Sequence, residues 1–193
     1  MYLFFDCEST GLPRNFKAPL TDGSNWPRLV SLSWEMYSED GIRKEWTEYV
    51  IKPFGFVIPT TSTAIHHITT EEALLKGFDR RGVLEHFYRD LTRANVIVAH
   101  NIEFDYKVIA AEYYRLGINP VLLIEHHQAC TMELGRDVCQ LPGKFGFKWP
   151  KLAELYFHLF GEEIKDQHNS AADVAACARC YFEMLRLAKL ETL

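Results

Sequence analysis

Between Arg28 and Tyr37 the chain alternates with a period of two. Val30, Leu32, Trp34 and Met36 fall on one side, and Leu29, Ser31, Ser33 and Glu35 on the other. That period predicts a half-buried strand. Asp40-Gly41 then marks a tight turn, and Ile42 to Ile51 predicts the returning strand of a hairpin. Tyr2 to Asp6 is a short apolar run ending in acid, and it predicts a first strand. After a connection from Pro53 to Pro59, a helical turn is expected at Ala64 to His67. Thr69, with Glu72 three residues on, has the spacing of a capping box. A helix is predicted from Arg80 to Thr92, a buried strand at Val96 to Ala99 and a further strand near Ile124 to Thr131.

Between those last two strands, Ile102, Tyr106, Ile109, Tyr113 and Leu116 recur at helical spacing and stop at Gly117. Gln140 to Pro150, rich in Gly, Lys and aromatics, reads as a loop. Lys151 to Phe160 and Ala171 to Leu190 read as helices, the last with Val174, Cys177, Tyr181, Leu185 and Ala188 inward. A hairpin followed by strand–helix alternation predicts an α/β fold, a mixed sheet covered by helices, within one domain spanning residues 1–193.

Composition narrows the class. With 193 residues, 48% of them hydrophobic, the chain can fill a sizeable core. No charge-free apolar run of about 18 residues appears, so no membrane span is expected. Met1 to Phe5 runs straight into Asp6 and Glu8 and lacks the form of a secretory signal, which leaves a cytoplasmic location as the default. The five cysteines are odd in number. Cys177 and Cys180 form a Cys-x-x-Cys, readable as a redox or zinc pair or as two core thiols of one helix. The net charge of -5 argues against a broad, sequence-blind DNA-coating surface, but not against a site that grips a few nucleotides.

Candidate chemistry gathers in three places. Asp6 and Glu8 are two apart on a strand, so both point to one side and Cys7 to the other. Adjacent carboxylates repel when ionised, which favours a cation between them; oxygen ligands suit Mg²⁺ or Mn²⁺. The second place is His100-Asn101-Ile102-Glu103-Phe104-Asp105, where a buried strand hands over to a helix. Asn101 is expected as the N-cap, with Asp105 one turn in, over the strand ends. The third is His168-Asn169-Ser170-Ala171-Ala172-Asp173. Ser170 and Asp173 have capping-box spacing, and His168 belongs to the preceding loop. Four carboxylates and one loop histidine suit a two-metal hydrolysis of phosphodiesters, with the histidine accepting a proton from the attacking water.

Those motifs resemble the DEDDh family of 3′→5′ exonucleases, which includes proofreading subunits of bacterial replicative polymerases. Phe5-Asp6-Cys7-Glu8-Ser9-Thr10-Gly11-Leu12, His100-Asn101-x-x-Phe104-Asp105 and His168-x-x-x-x-Asp173 are similar to its three motifs in order and spacing. The first departs mildly from the family at Ser9. The resemblance covers residues 1 to about 185. It implies a ribonuclease-H-like fold with a five-stranded mixed sheet whose first three strands are antiparallel. It also implies two Mg²⁺ ions, replaceable by Mn²⁺, on Asp6, Glu8, Asp105 and Asp173, and His168 as general base. Release of nucleoside 5′-monophosphates from a free 3′ end follows. By the same analogy Ser9, Thr10, Gly11 and Leu12 form the floor under the terminal nucleotide, and Asn101 contacts substrate. His66 and Ile68 lie in the connection that lines the nucleotide pocket in relatives; His66 also reads as a surface residue on a capped turn. Lys144 and Lys148, interleaved with Phe145, Phe147 and Trp149, fit a grip on a single strand or an ordinary loop.

The expected function is therefore a 3′→5′ exonuclease on single-stranded or frayed DNA ends. An exoribonuclease on short or structured RNA differs by one 2′-OH that no residue here decides. A nucleic-acid-binding or polymerase-accessory module with incidental hydrolysis is the reading from another class. No tail of the kind that holds a polymerase is evident, and neither a homodimer nor a monomer is favoured by an interface pattern.

Overall fold

The computed structural model describes residues 1–165 and 169–191. Five strands form the main sheet: β1 (Tyr2–Ser9), β2 (Leu29–Tyr37), β3 (Arg43–Val50), β4 (Val96–Ala99) and β5 (Gln128–Cys130). Their order is β3-β2-β1-β4-β5. β1, β2 and β3 pair antiparallel, whereas β4 and β5 continue from β1 in parallel. This is the expected mixed sheet, with β1 as the strand where the two pairing modes meet.

Eight helices are described: α1 (Thr60–His66), α2 (Thr70–Lys76), α3 (Arg80–Leu91), α4 (Ile102–Arg115), α5 (Val121–Glu125), α6 (Thr131–Cys139), α7 (Leu152–Phe160) and α8 (Ser170–Glu191). Thr69 caps α2 as its spacing predicts, its side chain accepting from the Glu72 N–H at 3.1 Å. The faces of β1 divide as alternation requires. Leu3, Phe5 and Cys7 join Leu84, Phe87, Val108 and Ile109 from α3 and α4 in the larger core. Phe4 joins Val174, Cys177, Ala178 and Tyr181 of α8 on the opposite face. All five cysteines are buried thiols, so Cys177 and Cys180 are core residues of one helix.

Several expectations change. β1 runs on to Ser9, so Glu8 stands within the strand. β2 is buried on both faces, because α8 covers the side that carries Ser31 and Ser33. The strand expected at Ile124 to Thr131 is reduced to Gln128–Cys130 between α5 and α6. A short apolar run such as Leu122-Leu123-Ile124 is ambiguous between helix and strand, and here the helix prevails. α6 turns Thr131, Gly135 and Cys139 inward. That is helical spacing carried by small residues, which an apolar pattern does not reveal. Gly135 is the reason α7 packs so closely: a Cβ there would lie 2.9 Å from Leu155 Cδ1. Finally, the expected loop at Gln140 to Pro150 contains a small hairpin of β6 (Pro142–Gly143) and β7 (Gly146–Phe147).

Candidate active site

Asp6 and Glu8 project from β1 toward the start of α8, and their neighbours on β2 are Ser33 and Ser31. Both serines are buried, and both reach Ser170 Oγ, at 2.7 Å from Ser33 Oγ and 3.3 Å from Ser31 Oγ. Ser170 thus docks the first turn of α8 beside the two acids, and Asp173 follows less than one turn on. Three carboxylates, from Asp6, Glu8 and Asp173, offer oxygen atoms within 4.8 Å of one another. The capping role expected of Ser170 belongs to Asn169, whose Oδ1 accepts from the N–H groups of Ala171 and Ala172, each at 3.1 Å. Ser170 points into the sheet because hydroxyl partners await it there. His168 lies outside the described residues.

Asp105 arrives from the other side of the sheet. The parallel β1–β4 ladder stops at the pair Phe4–Val98. Past that point Asp105, in the first turn of α4, accepts a hydrogen bond from the Cys7 N–H at 3.0 Å. It is buried, next to the other three acids but outside their closest grouping. Asn101 is not the side-chain cap that its position suggested. It takes the left-handed conformation, φ 67°, and makes no capping bond. Asn tolerates that conformation better than most residues. It turns the chain from β4 into α4 and leaves the exposed amide for other contacts.

Electrostatics at the cluster run against ionisation. Burial raises the pKa of Asp6 well above the ordinary carboxylate range, and the charges of Asp105, Glu8 and Asp173 raise it further. Burial followed by Asp173 and Asp105 pushes Glu8 up to about 8. Burial raises Asp105 to about 7 despite the hydrogen bond from Cys7. Partly buried acids held this close fit a divalent cation, which removes their mutual repulsion and accepts hard oxygen ligands.

His100 stands apart from this chemistry. Its Nε2 lies 3.1 Å from Pro150 O and its Nδ1 3.0 Å from Thr131 Oγ1. Burial lowers its pKa to about 4, so the ring is neutral. A carbonyl only accepts, so the proton sits on Nε2 and Thr131 donates to Nδ1. His100 is a brace between β4, α6 and the segment before α7.

The remaining expected contacts divide. Thr10 is fixed to Arg28 twice: its N–H donates to Arg28 O, and its Oγ1 accepts from the Arg28 N–H, both at 2.9 Å. Ser9 donates to Gly11 O at 2.8 Å, and Gly11, φ 134°, takes a conformation that favours glycine. Leu12 is 74% exposed at the rim. His66 is buried, which overturns its reading as a surface residue; its Nδ1 accepts from the Ile68 N–H at 3.1 Å. With Ile68, Glu8, Asn169 and Ser170 it lines a cavity of about 250 Å³ beside the acids. Lys144 lies at the tip of the β6–β7 hairpin and Lys148 just after β7. Lys148 is ion-paired with Glu154 at 2.5 Å, and Lys144 stands over the Phe145 ring at 5.1 Å.

Residues 3–181 match the family model for exonucleases known as RNase_T. The chain belongs to this exonuclease family. DNA polymerase III of the PolC type from Staphylococcus aureus is 25% identical over 188 residues, which are 97% of this chain and 12% of the polymerase. The chain therefore spans about an eighth of the length of that curated relative. In fold it is similar to Escherichia coli Exonuclease I bound to a dT13 oligonucleotide, with a TM-score of 0.77 and 19% identity, over 98% of this chain and 42% of that one. A zinc-bound form of the E. coli exonuclease in complex with single-stranded DNA gives a TM-score of 0.76 at 18% identity, over 96% of this chain and 40% of that one. The five-stranded ribonuclease-H-like architecture of a DEDDh exonuclease is thus shared across the chain. Ser31, Ser33 and Ser170 are the site-building residues that sequence reasoning missed. Their signal was small hydroxyls, in place of charged or long polar groups, at the polar positions of β2.

Proposed function

We propose that this chain is a 3′→5′ exonuclease domain that releases nucleoside 5′-monophosphates from single-stranded or frayed DNA ends. The observation that carries the reading is the convergence of Asp6, Glu8 and Asp173 within 4.8 Å, with Asp105 tied alongside through the Cys7 N–H. The single-stranded DNA in the Exonuclease I complexes supports the choice of substrate.

Asp6, Glu8, Asp105 and Asp173 would hold two Mg²⁺ ions, with Mn²⁺ able to replace them. Such ions acidify a water and stabilise the leaving oxygen of an in-line displacement. The chain's own groups do the rest. The Cys7 N–H orients Asp105 by donating to its Oδ1. The turn Ser9 to Leu12, pinned through Arg28, floors the position of the terminal nucleotide. Neutral His66 and Ile68 wall the adjoining cavity, and Asn101 presents its amide at the entrance to α4. His168, one residue before the Asn169 cap, acts as general base.

A time course on matched 5′-labelled DNA and RNA single strands tests the reading. With Mg²⁺ or Mn²⁺ the DNA should shorten stepwise, and chelator should stop it. Immediate release of the labelled nucleotide, cleavage of a closed circular strand, or full activity in chelator would each overturn it. His168→Ala should lower kcat by about 10²–10⁴-fold, the usual contribution of a positioned proton acceptor, and abolish the acid limb of the rate profile. Its Mn²⁺ affinity by calorimetry should stay near that of the wild type; a defect mainly in metal binding would remove the histidine from the role of base.

A further inference from the structure

The β6–β7 hairpin carries three aromatic rings in five residues that find little cover. Phe145 is 92% exposed, Trp149 58% and Phe147 48%. Rings of this size are normally buried or held for a partner. The hairpin's tip is Lys144-Phe145, followed by Gly146 at φ 107°, a position suited to glycine. Its base is rigid. Lys148 N–H donates to Leu141 O at 2.9 Å, and Pro150 packs over Gly135, where a Cβ would meet its Cγ at 3.2 Å.

The base is also fastened to the active site's own scaffold. Pro150 O accepts from His100 Nε2, and His100 opens the segment that carries Asp105. The hairpin is therefore joined to the end of β4, an interior strand of the sheet, just before the helix that carries Asp105. Lys144 lies over Phe145 itself, 5.1 Å from the ring centroid. Lys148 is engaged with Glu154 and holds the hairpin down to α7. A rigid stem, a bare aromatic tip and a lysine beside it are what a stacking platform for unpaired bases requires, since every base offers a π-face and every linkage a phosphate.

We infer that Phe145 and Trp149 form a stacking platform for the unpaired nucleotides upstream of the scissile end, with Lys144 as their phosphate partner. The inference rests on the nuclease reading of the carboxylate site and adds a second point of grip on the same strand. It makes affinity depend on strand length, because a very short substrate fills the carboxylate site without reaching the hairpin.

The test uses the catalytically disabled Asp6→Asn chain, so that binding is read without turnover. Fluorescence anisotropy with a labelled oligothymidylate long enough to cover both points, ~10 nucleotides within the range of single-strand sites, gives its Kd in Mg²⁺. Adding Phe145→Ala and Trp149→Ala should raise Kd by about 5- to 150-fold for each base whose stacking is lost. Phe145→Trp should keep the parent affinity, and melting curves should show that the variants are folded. In the active chain, the same two alanine changes should cost more in KM on the long strand than on a dinucleotide. Equal affinity of the parent and the alanine variant for the long strand would overturn the platform and leave the hairpin as a face for protein contact. An unaltered chain that leaves the long strand intact in Mg²⁺ would instead overturn the nuclease reading.

Discussion

Helix α4 carries two buried carboxylates, and the fold treats them in opposite ways. Asp105 sits in the first turn among other acids, and its pKa is raised to about 7. Glu112, two turns on, sits among arginines. Arg28 Nε and Arg115 Nη1 each lie 2.7 Å from it, and Arg80 pairs with its other oxygen. Burial alone would raise the Glu112 pKa, but the Arg28 hydrogen bond and the charges of Arg115, Arg28 and Arg80 outweigh it and hold the group below its ordinary value. One carboxylate is neutralised by the chain's own cations. The other is placed where the nearest charges are of its own sign. The difference separates an acid paired within the fold from acids gathered beside like charges, the ones the proposed function assigns to cations. The Glu112 hub also serves the site at a distance, because Arg28 fixes Thr10 with its backbone while its side chain ties down α4.

Removing each acid should therefore shift stability in opposite directions. Glu112→Gln leaves three arginines crowded without their counter-charge. Breaking a buried pair in this way typically costs ~3–5 kcal/mol, so the melting temperature should drop sharply while the rise on adding Mg²⁺ is kept. A variant as stable as the wild type would show that the hub is not structural. Asp6→Asn should do the reverse. It relieves repulsion and should raise the metal-free melting temperature. It should also shrink the stabilisation given by Mg²⁺ or Mn²⁺, which act by binding only the folded form. Loss of a cation ligand should lower kcat by an amount on the order of 10³-fold, the scale of the several kcal/mol a metal supplies. An unchanged metal response would remove Asp6 from the cation site.

A smaller effect is expected from pH. Glu8 and Asp105 have folded-state pKa values of about 8 and about 7, above their unfolded values near ~4. The folded form then holds more protons than the unfolded form across that interval. Their contribution is fully present below about pH 4 and is lost as pH rises toward 8, so metal-free stability should fall over this window. Glu112 has the opposite sign: its contribution is present above its unfolded pKa and is lost in acid as pH falls through its lowered folded value. Denaturant titrations in chelator, repeated with saturating Mg²⁺, should show the neutral-pH decline in the first series and its flattening in the second. A decline that survives Mg²⁺ would place its origin outside the cluster.

Much of this was legible in the residues, and the parts that were not share a cause. The strand at Leu29–Tyr37, the Asp-x-Glu on β1 and the helix α4 all follow from local pattern, and each element forms. Burial of Ser31 and Ser33 depends on α8, which arrives from far along the chain, so alternation alone placed them toward water. Small residues hid α6, because Thr131, Gly135 and Cys139 carry the inward face without apolar bulk. Its type and position mark Asn101 as a cap, whereas the turn out of β4 uses its left-handed backbone, φ 67°. Glu112 drew no notice as a sequence feature, since Arg28, Arg80 and Arg115 meet it only once the sheet and α4 are assembled.

The hydrogen bonds that close the site have a consequence for synthesis. Cys7 is held by Asp105, 98 residues later, and Ser33 by Ser170, 137 residues later. Loops of that length make closure a late event in folding, since non-local contacts form only after the intervening chain has been ordered. On the ribosome, β1 and β2 emerge long before their partners, at ~5–20 residues per second. The nascent chain displays its first two acids early, yet it cannot assemble the cluster until the start of α8 has left the exit tunnel. A chain stopped before α8 thus lacks Asp173 and cannot gather the carboxylates on which the proposed chemistry rests.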